Sequence, residues 1–426
     1  MGAAALYAYD PEMSRQQSGR PFTVAATVRG FYDDNINTSP DKQVVITSLP
    51  GGGSSTNTID PREGSFGFQV SPSIHWNIPL EQTFISLGYV YGFTWYDNRE
   101  PDNYDQSHDF NLKLRHQFSP RHQISVDDSF VLTSEPTVVD QSSGIITSPV
   151  KTRTDSSVLH NYGAIEDNIG LTRSLALSLG YNNNWYDYEA DGVGSRSALL
   201  DRLEHLIRAD ARYQINPKLV GIVGYTFGLN SFTDDEFIEE GSTLKSDSRD
   251  SMSHYVYAGV DYDITAKLRT TLRLGAQFSE YDELNESSQN PYADLSLSYM
   301  FRLGTSIEVG ARHMRNATDV SAVDTSTGLP TLDAETTSAY IQFHHNITHA
   351  LVGSLTGQYQ HSVFFDGLND GDTEDLWLFG VNLSYTFNRH WSAEIGYNFD
   401  TLDSNLTTGD RSYDRNRAYI GVTARY

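Results

Sequence analysis

Polar and apolar positions alternate with a period of two along most of the chain. From Leu268 to Phe278 one set is Leu268, Thr270, Leu272, Leu274, Ala276 and Phe278, and the other is Arg269, Thr271, Arg273, Gly275 and Gln277. A period of two puts these sets on opposite faces of a β-strand. One face is apolar; the other is polar and carries two arginines. In a soluble sandwich the polar face meets water. In a membrane barrel the apolar face meets lipid and the polar face lines a wet lumen.

The same strand recurs. A first strand is predicted over 21–34, with Phe22, Val24, Ala26 and Val28 on one face, followed by a polar loop to Arg62. The next strand shares Phe66, Phe68, Val70, Ile74 and Trp76, and after a turn Ile85, Leu87, Tyr89, Tyr91, Phe93 and Trp95 share a face. From there connections alternate. Short ones such as Asn216-Pro217-Lys218 and Asn388-Arg389-His390 are turn chemistry. Long ones, such as 233–250, 318–336 and 366–374, are rich in Asp, Ser, Thr and Gly. Short turns on one rim and long loops on the other are the pattern of outer-membrane barrels, with short turns periplasmic. Eight short turns and nine long loops predict about 18 strands, within a range of about 16 to 20. The expected fold is therefore an all-β, antiparallel, up-and-down transmembrane β-barrel. Residues 21–426 form it and residues 1–20 form a periplasmic N-terminal arm.

The last strand places Ala418, Ile420, Val422, Ala424 and Tyr426 on one apolar face. An alternating final strand with a terminal aromatic resembles the insertion signal of bacterial outer-membrane proteins, which implies the barrel-assembly machinery as a partner during insertion. Aromatic girdles are expected where rings meet the two lipid–water boundaries. Trp76, Phe118, Tyr213, Tyr262, Phe301, Phe387 and Trp391 fall near short turns; Trp95, Trp185, Phe232, Tyr281, Phe364 and Phe399 fall near long loops.

The segment from Phe22 to Ile36, running into Tyr-Asp-Asp-Asn, Leu179-Gly-Tyr-Asn-Asn-Asn-Trp185 and the final strand together resemble the family known as putative β-barrel porin type 2 of Gram-negative bacteria. The resemblance spans nearly the whole chain but is diffuse, and no residue-level motif carries over. It implies an outer-membrane pore; some members are thought to serve exopolysaccharide export.

Composition narrows the rest. The 426 residues carry a net charge of −25, which argues against nucleic acid as a partner. There is no Cys, hence no disulfide, thiolate metal site or cysteine nucleophile. Mean hydropathy is −0.45 and no apolar run is long enough for a transmembrane helix. The expected surroundings are the lipid bilayer and lipopolysaccharide of the bacterial outer membrane. Periplasmic export partners and a homo-oligomer stay open.

Candidate chemistry lies in the lumen. Inward parity selects a basic wall of Arg269, Arg273, Arg302, Arg312, Arg115, Arg208 and Arg212, with Glu204, Asp210, Glu308 and Glu394 among the facing acids. Opposed rows of charge orient polar solutes; the alternative is that these arginines only pair with acids and brace the wall. A wide barrel needs narrowing to discriminate. The weakly charged loop 135–157, with Val138, Val139, Ile145 and Ile146, is the candidate constriction. Acidic clusters such as Asp234-Asp235-Glu236 lack EF-hand spacing and read as solvated, so no metal and no cofactor is expected. No Gly-x-Ser-x-Gly or His-Glu-x-x-His is present, and His205 is expected to face lipid without a partner acid, so an enzyme is not expected. The expected function is a porin-like channel for small hydrophilic solutes, anionic or saccharide ones among them. The alternatives are an exit barrel for exopolysaccharide and a plugged structural or adhesive barrel.

Overall fold

The computed structural model describes residues 21–40, 43–48, 54–59, 61–99, 103–133 and 157–426. Its strands are β1 (Phe22–Asp33), β2 (Gln43–Ser48), β3 (Ser54–Ile59), β4 (Ser65–Pro79), β5 (Thr83–Tyr96), β6 (Tyr104–Ser119), β7 (His122–Thr133), β8 (Val158–Gly170), β9 (Leu175–Tyr188), β10 (Arg202–Asn216), β11 (Leu219–Phe232), β12 (Ser251–Thr265), β13 (Leu268–Tyr281), β14 (Glu286–Arg302), β15 (Thr305–Asn316), β16 (Asp333–Asn346), β17 (Leu351–Phe365), β18 (Thr373–Thr386), β19 (Trp391–Ser404) and β20 (Tyr413–Arg425). Eighteen of them form one antiparallel sheet, and β2 and β3 pair as a separate hairpin within the first loop.

Each strand of the large sheet pairs with its neighbours in sequence, β1 with β4 across the hairpin. The ring closes where Ala25 to Asp33 of β1 pair with Arg425 to Arg417 of β20. Closure removes every edge, which is the condition for strands to cross a hydrocarbon layer. The eighteen-stranded barrel expected from the alternation of turns and loops is the one found.

Alternation decides which side chains face out. On β13, Leu274 and Phe278 are exposed at 54% and 37%, whereas Gln277 and Ser279 are buried inside. On β20, Ile420 and Val422 are exposed and Arg415 is buried. Outer side chains are thus predominantly apolar and the buried inner ones include many polar groups, the inverse of a soluble protein. An apolar belt of this extent is not compatible with water. Trp76, Phe118, Tyr213, Phe387 and Trp391 stand exposed near the short-turn rim, and Trp185 near the loop rim. Phe232, Tyr281 and Phe364, expected in the outer girdle, are instead buried. Phe364 shares its face with the inner Gln360 and Ser362 and packs with Val320 and Ala334.

Short turns close the opposite rim. The turn between β14 and β15 uses Gly304 at φ +76°, where an added Cβ would meet the Asn346 side chain at 2.0 Å. No helix is long and apolar enough to cross a membrane among the described residues.

Candidate functional site

The inner wall is built from ion pairs between neighbouring strands. On β10, Arg208 reaches Glu166 of β8 at 2.7 Å and lies 3.7 Å from Asp210. Two strands on, Asp261 of β12 is clamped by Arg212 of β10 at 2.6 Å and Arg273 of β13 at 2.8 Å. Arg312 of β15 holds Asp294 of β14 at 2.7 Å. Arg115 of β6 holds Asp127 of β7 at 2.9 Å, and Arg269 lies 3.8 Å from Asp263 near the turn rim. On the far side Arg29 of β1 reaches Glu394 of β19 at 2.6 Å. Glu204 pairs with Arg202 at 2.7 Å. Tyrosine hydroxyls donate to two other inner acids, Tyr257 to Asp210 at 2.6 Å and Tyr340 to Glu308 at 2.8 Å.

This arrangement differs from a basic wall facing an acidic one. Six of the seven selected arginines sit beside a carboxylate, so positive and negative groups alternate around the circumference. Arg302 is the exception. A bulge between Met300 and Arg302 sets Arg302 opposite Thr305, which shares the face of Ile307 and Val309. Its guanidinium bonds the Thr305 hydroxyl and the Asn346 carbonyl at the turn rim. Its place is therefore the rim, not the lumen.

Glu166 was not among the acids selected by inward parity. The cause is β8 itself, whose outer face reads Leu159, Asn161, Gly163, Ile165, Asp167, Ile169 and does not alternate cleanly with the inner one. The constriction residues Val138, Val139, Ile145 and Ile146 lie outside the described residues.

The described loops meet over the mouth. The β9–β10 loop carries the short helix α1 (Arg196–Leu200), capped by the Ser195 side chain. Arg196 of this loop bonds Asp319 of the β15–β16 loop at 3.0 Å. Arg411 of the β19–β20 loop bonds the same carboxylate at 2.9 and 3.1 Å and also grips Glu374 at the start of β18. Between the loops of Arg196 and Arg411 stand ten strands one way, β10 to β19, and eight the other, β20, β1 and β4 to β9. The two arginines thus come from nearly opposite sides of the rim and share one carboxylate, whose side chain is 1% exposed. Burial pushes the Asp319 carboxyl up, but Arg411 and Arg196 outweigh it and hold it below the usual carboxylate value.

A second set of contacts ties in the β11–β12 loop. Arg249, fully buried at 1% exposure, donates to the Leu199 carbonyl at 2.7 Å and to the Thr318 carbonyl at 3.4 Å, under Phe232. Among the described residues no carboxylate lies within ion-pair distance of it. Burial, with Arg202 nearby, pulls its guanidinium down to about 9. Glu239 accepts from the Val323 amide at 3.1 Å, and the Leu368 amide of the β17–β18 loop donates to the Ala322 carbonyl at 3.0 Å. Five loops are therefore knitted together, with the β15–β16 loop at their centre.

A closed barrel with an apolar outer belt, a lumen of paired charges and loops drawn over one mouth is a porin-type transmembrane barrel. Residues 246–426 match the model of the family described as putative beta-barrel porin 2, the family that the sequence resembles. No curated protein matches the chain. Solved structures to which it is similar include Pseudomonas aeruginosa OccK11 (OpdR), at 13% identity and a TM-score of 0.43, covering 95% of this chain and 96% of that one. The outer membrane protein OpdK from the same organism is 10% identical, with a TM-score of 0.43 and coverage of 95% and 99%. Acinetobacter baumannii OccAB4 is 12% identical, with a TM-score of 0.41 and coverage of 96% and 99%.

Proposed function

We propose that the chain is an outer-membrane channel for small hydrophilic solutes, anionic and saccharide ones included, that pass down their gradient without a cofactor. The observation that carries this reading is the lumen ladder of Arg208, Glu166, Arg212, Asp261, Arg273, Asp294 and Arg312. Several of these groups keep a wet face: the Arg208 and Glu166 side chains are 36% and 40% exposed. Alternating fixed charges offer a solute both donors and acceptors in exchange for its hydration shell while holding the net field small. Catalysis is no part of this reading.

The plugged barrel is the second reading, and one observation favours it: Arg196 and Arg411 share Asp319 across the mouth. Liposome swelling separates the two. Vesicles carrying the folded wild-type barrel should swell in sugars and in small organic anions if the mouth admits them. Swelling by the Asp319→Asn barrel alone would mean a plug.

A further inference from the structure

One of the places where polar side chains interrupt the apolar belt lies on β7 to β9. On β7 the outward series is Ile124, Val126, Asp128, Phe130 and Leu132, so a carboxylate stands between Val126 and Phe130. On β8, Asn161 and Gly163 point the same way, and on β9, Asn183 does. Register makes them neighbours: Asp128 lies opposite Gly163, and Gly163 opposite Asn183. The Asn161 amide donates to Asp128 at 3.3 Å. A Cβ on Gly163 would meet the Asn183 side-chain oxygen at 2.5 Å and Asp128 at 3.5 Å. Outward polar groups elsewhere are paired among themselves: His313 with Thr337 and His361 with Asp375 on β15 to β18, and His254 of β12 with the Tyr225 hydroxyl. Acyl chains offer no hydrogen-bond partner, so a polar cluster in this belt is costly unless protein covers it.

We propose that this wall is the contact face of a dimer of the chain, two barrels packing about a twofold axis along the membrane normal that passes by Gly163. The inference rests on the reading that the outer face meets lipid. Two copies inserted in the same sense present every residue at the same depth, so a polar cluster on one meets the polar cluster of the other. The register adds self-complementarity. The row through Asp128, Gly163 and Asn183 runs from Phe22 at the start of β1 to Glu280 near the end of β13, so it climbs toward the loop rim. With strands about 4.8 Å apart, a rise of about 3.3 Å per residue and a tilt near 40°, Asn183 stands about 3 Å above Gly163 and Asn161 about 5 Å above it. The tilt carries them to opposite sides of Gly163. The twofold axis therefore sets Asn161 of one copy against Asn183 of the other, where carboxamides donate and accept in turn. Gly163, with no side chain, lets the two walls approach.

The chain has no Cys, so introduced thiols report alone. The test is oxidative cross-linking of the Asn161→Cys, Asn183→Cys double variant in intact outer membranes, with Leu274→Cys on β13, five strands from β8, as control. The expected result is a disulfide-linked dimer of the chain for the double variant and none for the control. In parallel, Asp128→Leu, Asn161→Leu, Asn183→Leu should halve the native mass of the detergent-purified barrel while leaving heat-modifiable migration intact. Membrane-inserted wild-type protein of monomer mass, or thiols that capture only a different protein, overturns the dimer. A chain that never enters the membrane fraction overturns the channel reading instead, and the dimer with it.

Discussion

Asp319→Asn is the perturbation whose consequence follows most directly from the mouth geometry. The substitution keeps the shape and removes the charge that Arg196 and Arg411 share. Both arginine side chains are mostly covered, at 25% and 21% exposure, and Asp319 is at 1%, so solvent screening is slight. Removing one partner of a buried pair costs about 3–5 kcal/mol. Taking the low end, because Arg411 retains Glu374, about 3 kcal/mol corresponds to a shift of roughly a hundredfold in the ratio of engaged to disengaged loops. The assay is single-channel recording in planar bilayers. Open probability should rise steeply, while migration of the unheated barrel on a denaturing gel stays that of wild type. The pH dependence follows from the same group. Its folded value lies below the usual one, so its contribution is present above about 4 and is lost as acid takes it through the lowered value. Wild-type channels should therefore open more on acidification below about 4, and the Asn variant should not respond. Equal open probability for both proteins at neutral pH would refute the argument that these loops lock the mouth.

Other outcomes follow from the same structure. Asp201 caps the end of α1 and accepts from the Tyr188 amide at 2.8 Å; burial first, then Asp187 and Asp234, push it up to about 7. A raised carboxyl favours the folded loop fully below about 4 and loses that contribution as pH rises through about 7, so amide exchange in 189–201, corrected for intrinsic rate, should quicken between pH 5.5 and 8.5, and Asp201→Asn should abolish the change. Arg212→Gln with Arg273→Gln strips both cations from Asp261, and reversal potentials should move toward cation selectivity. Gly275→Ala drives a Cβ to 2.0 Å from the Val256 carbonyl and 2.7 Å from Tyr257 Cα, so the temperature at which the barrel loses its fast gel migration should fall, by an overpacking cost of about 1–3 kcal/mol. Ile420→Arg puts a charge on the exposed outer face of β20, and urea titration in bilayers should show a loss of about 2–4 kcal/mol.

The barrel was legible in the sequence because lipid imposes one chemical demand on every outward position. Leu268 to Phe278 needs no knowledge of its neighbours to show two faces, and alternating turns and loops then set the strand number. Register was not legible. It depends on bulges such as that at Met300, which moves Arg302 from the expected wall to the rim. The charge pairing was half visible: parity put Arg208, Asp210, Arg212 and Arg273 inside, but which acid each arginine meets depends on stagger between strands. Glu166 was hidden because Asn161 and Gly163 blur the parity of β8. The mouth was the least readable. Arg196, Arg249, Asp319 and Arg411 sit in polar segments that look solvated one at a time. Burial arises only when loops from opposite sides of the ring converge, a contact between residues as far apart in sequence as Arg196 and Asp319.

The central claim is that lipid lies against the outer side chains and water fills the lumen. Ionic current through a planar bilayer tests it most directly, using full-length barrel whose fold is verified by heat-modifiable migration. Discrete steps are the predicted result, more frequent for Asp319→Asn than for wild type. A folded barrel that passes no current in either form would contradict it.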